Sequence, residues 1–318
     1  MILITGGLGY LGGRIANHLL QTQDIPILLG TKDQDYNLPY ELQNCKVIQL
    51  DVLKESDIKL ACNEVTTIIH LAALNFQESQ KDPKKASLVN SKGTYELLRS
   101  AVQSGVKKFI YFSTAHVYGS PLLGNIDEST KPLPANPYSS SHLKAEEHVL
   151  KFHSENNING IVFRLSNAIG KPIDKKANCW MLASNSFCKQ AILNREIILS
   201  GDQYQERDFI PISHIENLTD KILDNSSIDY YGKVMNVGSG RSLSIIGLAK
   251  KISKRCKVLF DFEPNLIENQ QDQQKKNIEL NYNCRNFKSL NIFSEKTLED
   301  EIDELLKFCK KSFNSLSQ

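Results

Sequence analysis

Met1-Ile-Leu-Ile-Thr-Gly-Gly-Leu-Gly-Tyr-Leu-Gly12 decides the fold of this chain. Ile2 to Ile4 read as a short buried strand, and an amphipathic helical pattern runs from Arg14 to Leu20. Between them stand Gly6, Gly7, Gly9 and Gly12. Glycines so placed permit a sharp reversal, let backbone approach a pyrophosphate and pack a helix closely on its strand. The helix N-terminus then offers free N–H groups and a partial positive charge to phosphates. Strand, glycine turn and helix in this order predict a dinucleotide site.

Working outward, Ile25–Leu29, Lys46–Leu50, Thr66–Ala73 and Lys108–Phe112 read as further strands, with helical stretches between them such as 90–98. Strands alternating with helices mean a parallel sheet with crossover helices. After the strand Ile161–Leu165 the texture is less regular, with helices near 185–193, from Ser244, and over 295–311. A Gln-rich stretch, 268–274, reads as a loop. The expected fold class is α/β: a Rossmann-type doubly wound parallel sheet with a smaller C-terminal substrate-binding subdomain. Residues 1–168 form the dinucleotide domain, with 208–240 returning to it; 169–207 and 241–318 form the subdomain.

Composition limits the alternatives. In 318 residues, 41% are hydrophobic and 23% charged, ordinary for a soluble globular protein. A net charge of +2 gives no argument for nucleic acid or an anionic membrane as partner. The first strand begins at residue 2, so no signal peptide is expected, and no apolar run approaches a membrane span. Seven dispersed cysteines without a Cys-x-x-Cys pair argue against disulfides and zinc, and the expected location is the cytoplasm.

At the end of the second strand an acidic residue would bind the ribose 2′-hydroxyl of NAD, and a cation would accommodate the 2′-phosphate of NADP. Gly30-Thr31-Lys32 stands there, with Asp33 and Asp35 later. Thr31 and Lys32 therefore point to NADP; the alternative is NAD, with Lys32 a solvated loop cation and Asp33 on the ribose. Leu71, Ala72 and Ala73 close the fourth strand, which ends in small residues that let a cofactor lie close.

Several motifs occur in one order: Thr5-Gly-Gly-Leu-Gly-Tyr-Leu-Gly12, His70-Leu-Ala-Ala73, Asn90-x-x-Gly-Thr94, Ser113-Thr-Ala-His-Val-Tyr-Gly119, Pro137-Tyr138, Arg164-x-x-Asn167, Arg207-Asp-Phe209 and Asn236-Val-Gly-Ser-Gly240. Together the chain resembles the extended short-chain dehydrogenases, the NAD-dependent epimerase/dehydratase family that modifies nucleotide sugars. The resemblance implies that Thr114 holds the reacting sugar oxygen and Tyr138 is the acid/base. It implies that Gly6, Gly9 and Gly12, with Tyr10 and Leu11, form the pyrophosphate turn. Asp51 and Val52 would contact adenine, Asn90 would join the cofactor site, and Asn167, Asn178 and Arg207 would hold the substrate. A homodimer through two long helices is also implied. The family's late arginine is not evident in Asn269-Gln-Gln-Asp-Gln-Gln274.

One position departs from the pattern. The family places a lysine four residues after the tyrosine, on the same helix face, to favour the phenolate and bind the nicotinamide ribose. This chain reads Tyr138-Ser-Ser-Ser-His142-Leu-Lys144. At 100° per residue Lys144 sits about 240° around the helix, facing away. An ammonium about 4 Å from the phenol, at an effective dielectric near 20, is worth at most about 4 kcal/mol, or roughly three pKa units. Histidine is mostly neutral above its reference pKa of about 6.5, yet can still donate to a ribose hydroxyl. Two readings follow: His142 replaces the lysine in an active enzyme, or the chain binds NADP without turnover, as a sensor or scaffold.

Ala115 and His116 stand where the family's 4,6-dehydratases resemble one another in carrying Asp-Glu. Without those carboxylates an epimerase or 4-ketoreductase fits better than a dehydratase. His116 is either a further acid/base on the sugar or a polar lining residue.

Overall fold

The computed structural model describes residues 1–33, 36–224, 229–268, 279–292 and 294–313; Asp35 and residues 269–274 lie outside them. β1 (Ile2–Thr5), β2 (Ile27–Thr31), β3 (Lys46–Gln49), β4 (Thr67–His70) and β5 (Lys108–Thr114) occur in chain order, β2 starting two residues later than its sequence pattern. β6 (Gly124–Ile126) is short, β7 (Asn159–Leu165) is the strand expected around Ile161, and β8 (Asn167–Ile169) follows it directly. The second half adds β9 (Glu196–Ile198), β10 (Glu206–Pro211), β11 (Val234–Val237), β12 (Ser242–Ser244), β13 (Asn265–Ile267) and β14 (Leu280–Tyr282).

Seven of these strands form one parallel sheet in the order β3-β2-β1-β4-β5-β7-β11. Every residue of β1, β2 and β4 is buried, because crossover helices cover both faces of a parallel sheet. On one face, Ile15, Ala16 and Leu19 of α1 (Tyr10–Thr22) join Ile215, Leu218 and Ile222 over Ile2, Ile4 and Ile110. On the other, Leu97, Leu98, Ala145 and Val149 cover Leu3, Ile68 and Phe109. Strand order reverses between β1 and β4, and a crevice at that switch point is where a ligand binds in open α/β sheets.

A third core lies beyond this sheet. Phe187, Leu248, Ile252, Leu305 and Leu306 bring together the helices Ala183–Asn194, Ile245–Phe260 and Leu298–Phe313. Of the segment 208–240, β11 pairs with β7 in the main sheet and the helix Ile212–Leu223 packs on α1. β10 instead pairs with β8 and β12 in a separate small sheet.

The two parts are joined by a buried ion cluster. The Arg14 Nε donates to Glu216 at 2.7 Å, and its Nη2 reaches Glu301 at 3.3 Å. Burial disfavours the charge, but the two carboxylates outweigh it and hold the guanidinium charged. All seven cysteines are free and buried. No helix among the described residues is long and apolar enough to cross a membrane.

Candidate active site

The glycine turn has the steric logic its sequence implies. Gly6 has φ +67°, a conformation other L-residues rarely adopt, and its carbonyl accepts from the Gly9 amide at 2.9 Å. A Cβ on Gly12 would overlap that same carbonyl oxygen. Gly9 is the N-cap of α1, with no side-chain cap and no acid in the first turn. The first N–H groups of the helix are therefore open to an anion. The turn borders a cavity of about 340 Å³, lined also by Leu71, Ala72, Ala73, Thr114, Tyr138, His142 and Asn178. Tyr10 and Leu11 border it too, but the Tyr10 hydroxyl is committed to the Gly170 carbonyl at 2.7 Å.

A hydrogen-bond chain ties this turn to the helix that carries Tyr138. The Thr5 hydroxyl accepts from the Leu71 and Ala72 amides, both at 3.1 Å, so its own proton goes to His70 Nδ1 at 2.7 Å. His70 Nε2 then carries the ring proton and donates to Thr94 Oγ1 at 2.9 Å, whose proton goes to the Asn90 carbonyl at 2.6 Å. The Asn90 side chain accepts from the Leu74 amide at 2.7 Å and donates to Ser141 at 3.0 Å. Asn90 thus acts beside the cavity as a brace, and the π-helical turn Ser87–Lys92 holds it there.

Asn136 opens the helix Pro137–Ser154: its side chain accepts from the Ser139 amide at 3.0 Å, and Pro137 occupies the first helical position. Tyr138 is therefore fixed in the first turn, with His142 one turn on and Glu146 one more. The Tyr138 ring meets His142 edge-on at 4.5 Å, and Phe76 flanks it at 6.3 Å. Burial pushes the Tyr138 phenol above its usual value, and a hydrogen bond with Thr114 opposes this. Among the described residues no cation stands beside this phenol; Lys144 is exposed and paired with Glu147 at 2.6 Å.

His142 is 3% exposed, and burial lowers it to about 4, so it is neutral at physiological pH. Its Nδ1 meets the Tyr111 hydroxyl at 2.7 Å, while its Nε2 is buried without a protein partner. Glu146 closes this face: it pairs with Arg164 at 2.6 Å and accepts from Ser113 at 2.5 Å.

Other candidate residues lie elsewhere. Lys32 pairs with Asp51 at 3.2 Å; burial raises the Asp51 carboxyl, but the Leu53 amide and Lys32 outweigh that and hold it low. Thr31 is buried and accepts from the Asp33 amide at 3.2 Å. Val52 is buried beneath Gly93, where a Cβ would press on it. Asn167 is not among the residues that line the cavity, and its amide donates to the Asp208 carbonyl at 2.9 Å. Arg207 does not line the cavity; its Nη2 donates to Gln205 at 3.1 Å and its Nε has no partner. Burial lowers the Arg207 guanidinium, and burial first, then Arg207, lowers His116 to about 4. His116 and Arg207 thus belong together, outside the cavity wall formed by Tyr138 and His142. Asn75, Glu78 and Ser166 line the cavity unforeseen, although Asn75-x-x-Glu78 is a legible capping box.

Comparison with known proteins places the chain among relatives of one family. A dTDP-D-glucose 4,6-dehydratase from Mus musculus is 28% identical over 272 residues, covering 80% of this chain and 73% of its own. A UDP-glucose 4-epimerase from Halalkalibacterium halodurans is 26% identical over 270 residues, covering 80% and 79%. A UDP-glucuronic acid 4-epimerase from Bacillus cereus, solved with UDP-glucuronic acid and NAD, superposes with a TM-score of 0.81 at 20% identity, over 98% and 99% of the two chains. The family model for the NAD dependent epimerase/dehydratase family matches residues 2–238. With three quarters of its length matched by that family model, the chain belongs to the NAD-dependent epimerase/dehydratase family.

Proposed function

We propose that this chain performs nicotinamide-dependent oxidoreduction at a hydroxyl-bearing carbon of a nucleotide sugar, as a 4-epimerase or a 4-ketoreductase. The carrying observation is that Thr114, Tyr138 and His142, whose Nε2 is buried without a partner among the described residues, line one cavity bordered by the glycine turn. The residues present suit a dinucleotide: a turn that tolerates no Cβ at Gly12, an uncapped helix start, and an orphaned ring nitrogen beside the cavity. When bound, the nicotinamide accepts and returns a hydride. Tyr138 Oη takes the proton of the substrate hydroxyl and later restores it, Thr114 Oγ1 orients that hydroxyl, and His142 Nε2 holds the cofactor's ribose. Arg207, half-buried with no carboxylate partner among the described residues, suits the substrate's diphosphate or nucleoside, with Asn178 nearer the cavity.

The cofactor proposed is NADP. At the end of β2 the chain offers Gly30, Thr31 and an exposed Lys32 whose counter-ion is Asp51, and no acid lies at the position that would claim a 2′-hydroxyl. Lys32→Ala is expected to weaken NADP binding about tenfold and leave NAD within about twofold, read by fluorescence titration. Equal losses for both cofactors would remove the NADP assignment.

Turnover is tested by incubating the chain with UDP- and dTDP-hexoses and either cofactor between pH 6 and 9, following the sugar protons by NMR. Tyr138→Phe is expected to lower conversion at least about 100-fold with cofactor affinity nearly unchanged. A second reading, binding without catalysis, rests on the missing cation beside Tyr138; tight cofactor binding with no conversion at any pH in that range would establish it. A second copy of the chain is proposed as the physiological partner, tested by its mass in solution.

A further inference from the structure

Four rings stand in file beneath the cavity. His70 and Tyr111 lie 5.6 Å apart at 30°, Tyr111 and His142 6.0 Å apart at 26°, and His142 meets Tyr138 edge-on. Tyr111 belongs to β5, where period-two alternation sends it to the face covered by the Pro137–Ser154 helix. It is 3% exposed, and its hydroxyl makes one hydrogen bond among the described residues, to His142 Nδ1 at 2.7 Å.

The proton in that bond has one satisfactory place. Were His142 Nδ1 the donor, the Tyr111 hydroxyl proton would be buried with no acceptor, a cost that nothing in the surroundings offsets. Tyr111 is therefore the donor, Nδ1 the acceptor, and the ring proton sits on Nε2. That nitrogen is the one left without a protein partner, in a residue that borders the cavity.

We infer that Tyr111 is a positioning residue: it locks His142 as a neutral Nε2–H donor aimed at the sugar hydroxyls of the bound dinucleotide. The inference rests on the cofactor reading given above. The family's lysine gives a hydrogen bond and a positive charge together; here the hydrogen bond is kept and the charge is given up. The groups around the imidazole agree. Tyr138 and Glu146 face it from its own helix, Tyr111 from β5 and His70 from β4, and Glu146 is already neutralised by Arg164. None of them holds an imidazolium, and burial lowers the His142 ring to about 4.

Long-range 1H–15N spectra of the histidine-labelled chain, without cofactor, read the tautomer directly. The expected result is a single Nε2–H tautomer for His142, unchanged from pH 5.5 to 9. In Tyr111→Phe the resonance should move toward mixed tautomers, and the cofactor Kd should rise about fivefold. An Nδ1–H tautomer in the unaltered chain would overturn the inference, and that measurement needs no variant to fold. An unmoved tautomer and Kd in Tyr111→Phe would also overturn it. Failure of the catalytic reading is separable: a chain that turns over no nucleotide sugar, yet shows the Nε2–H tautomer and a Tyr111-dependent Kd, keeps this inference and loses only the activity.

Discussion

His70 and His142 are both buried and neutral, and both stand against Tyr111, yet they are built differently. His70 has a partner on each ring nitrogen, Thr5 on one side and Thr94 on the other. Among the described residues His142 has a partner on Nδ1 alone, and its other nitrogen has none. A closed imidazole is a brace, because every polar atom taken from water has been given a replacement. An open one bordering a cavity is free to take its remaining partner from whatever fills that cavity, water or ligand.

Acid gives the largest test of this contrast. Above about pH 6.5 a histidine is neutral in the folded and the unfolded chain, so it brings no pH dependence there. Below that value the unfolded chain takes up protons that buried histidines refuse, and folding stability falls as pH falls. His142 and His116 resist until about 4, and His70 until about 3, so the loss should accumulate between pH 6.5 and 4 and reach several kcal/mol. Urea midpoints across that range should drop steadily; a flat profile would mean the three rings are more solvated than their burial implies. Saturating cofactor should shift the whole profile upward by mass action.

Substitution by leucine separates the two rings next. His70→Leu should cost about 3 kcal/mol, since the Thr5 and Thr94 hydroxyls both lose a buried partner. His142→Leu should cost about 1 kcal/mol, stranding only the Tyr111 hydroxyl, while cofactor affinity falls about tenfold. Equal stability losses in denaturant melts would erase the distinction between brace and site.

The smallest effect sharpens the comparison on the catalytic side. His142→Lys places a cation one turn below Tyr138, which should favour the phenolate and move the acid limb of the turnover–pH profile to lower pH. A gain of about fivefold at pH 7 is expected, and an unmoved limb would mean that the phenol does not feel position 142.

Most of this architecture is legible in the sequence because its constraints are local. The glycine turn follows from sterics within a dozen residues, and Tyr138, His142 and Glu146 share a face by helical spacing alone. What escapes is long-range pairing. Nothing near Asn167 announces that its amide turns to Asp208, or that Lys32 finds Asp51 across two strand ends. Tyr10 carries the family's pattern, but its hydroxyl goes to Gly170, 160 residues away. Tyr111 reads in the sequence as one more apolar strand residue; its hydrogen bond exists only because β5 and the Pro137 helix meet.

Arg14 has a consequence in time as well as in space. It lies one turn into the helix that follows the glycine turn, and its second carboxylate, Glu301, is 287 residues further on. On the ribosome that guanidinium is made early and must remain hydrated, or be paired with Glu216 alone, until the helix Leu298–Phe313 emerges. The first turns of α1 therefore gain their full anchorage only after the helix Leu298–Phe313 has been made, long after the strands they pack on.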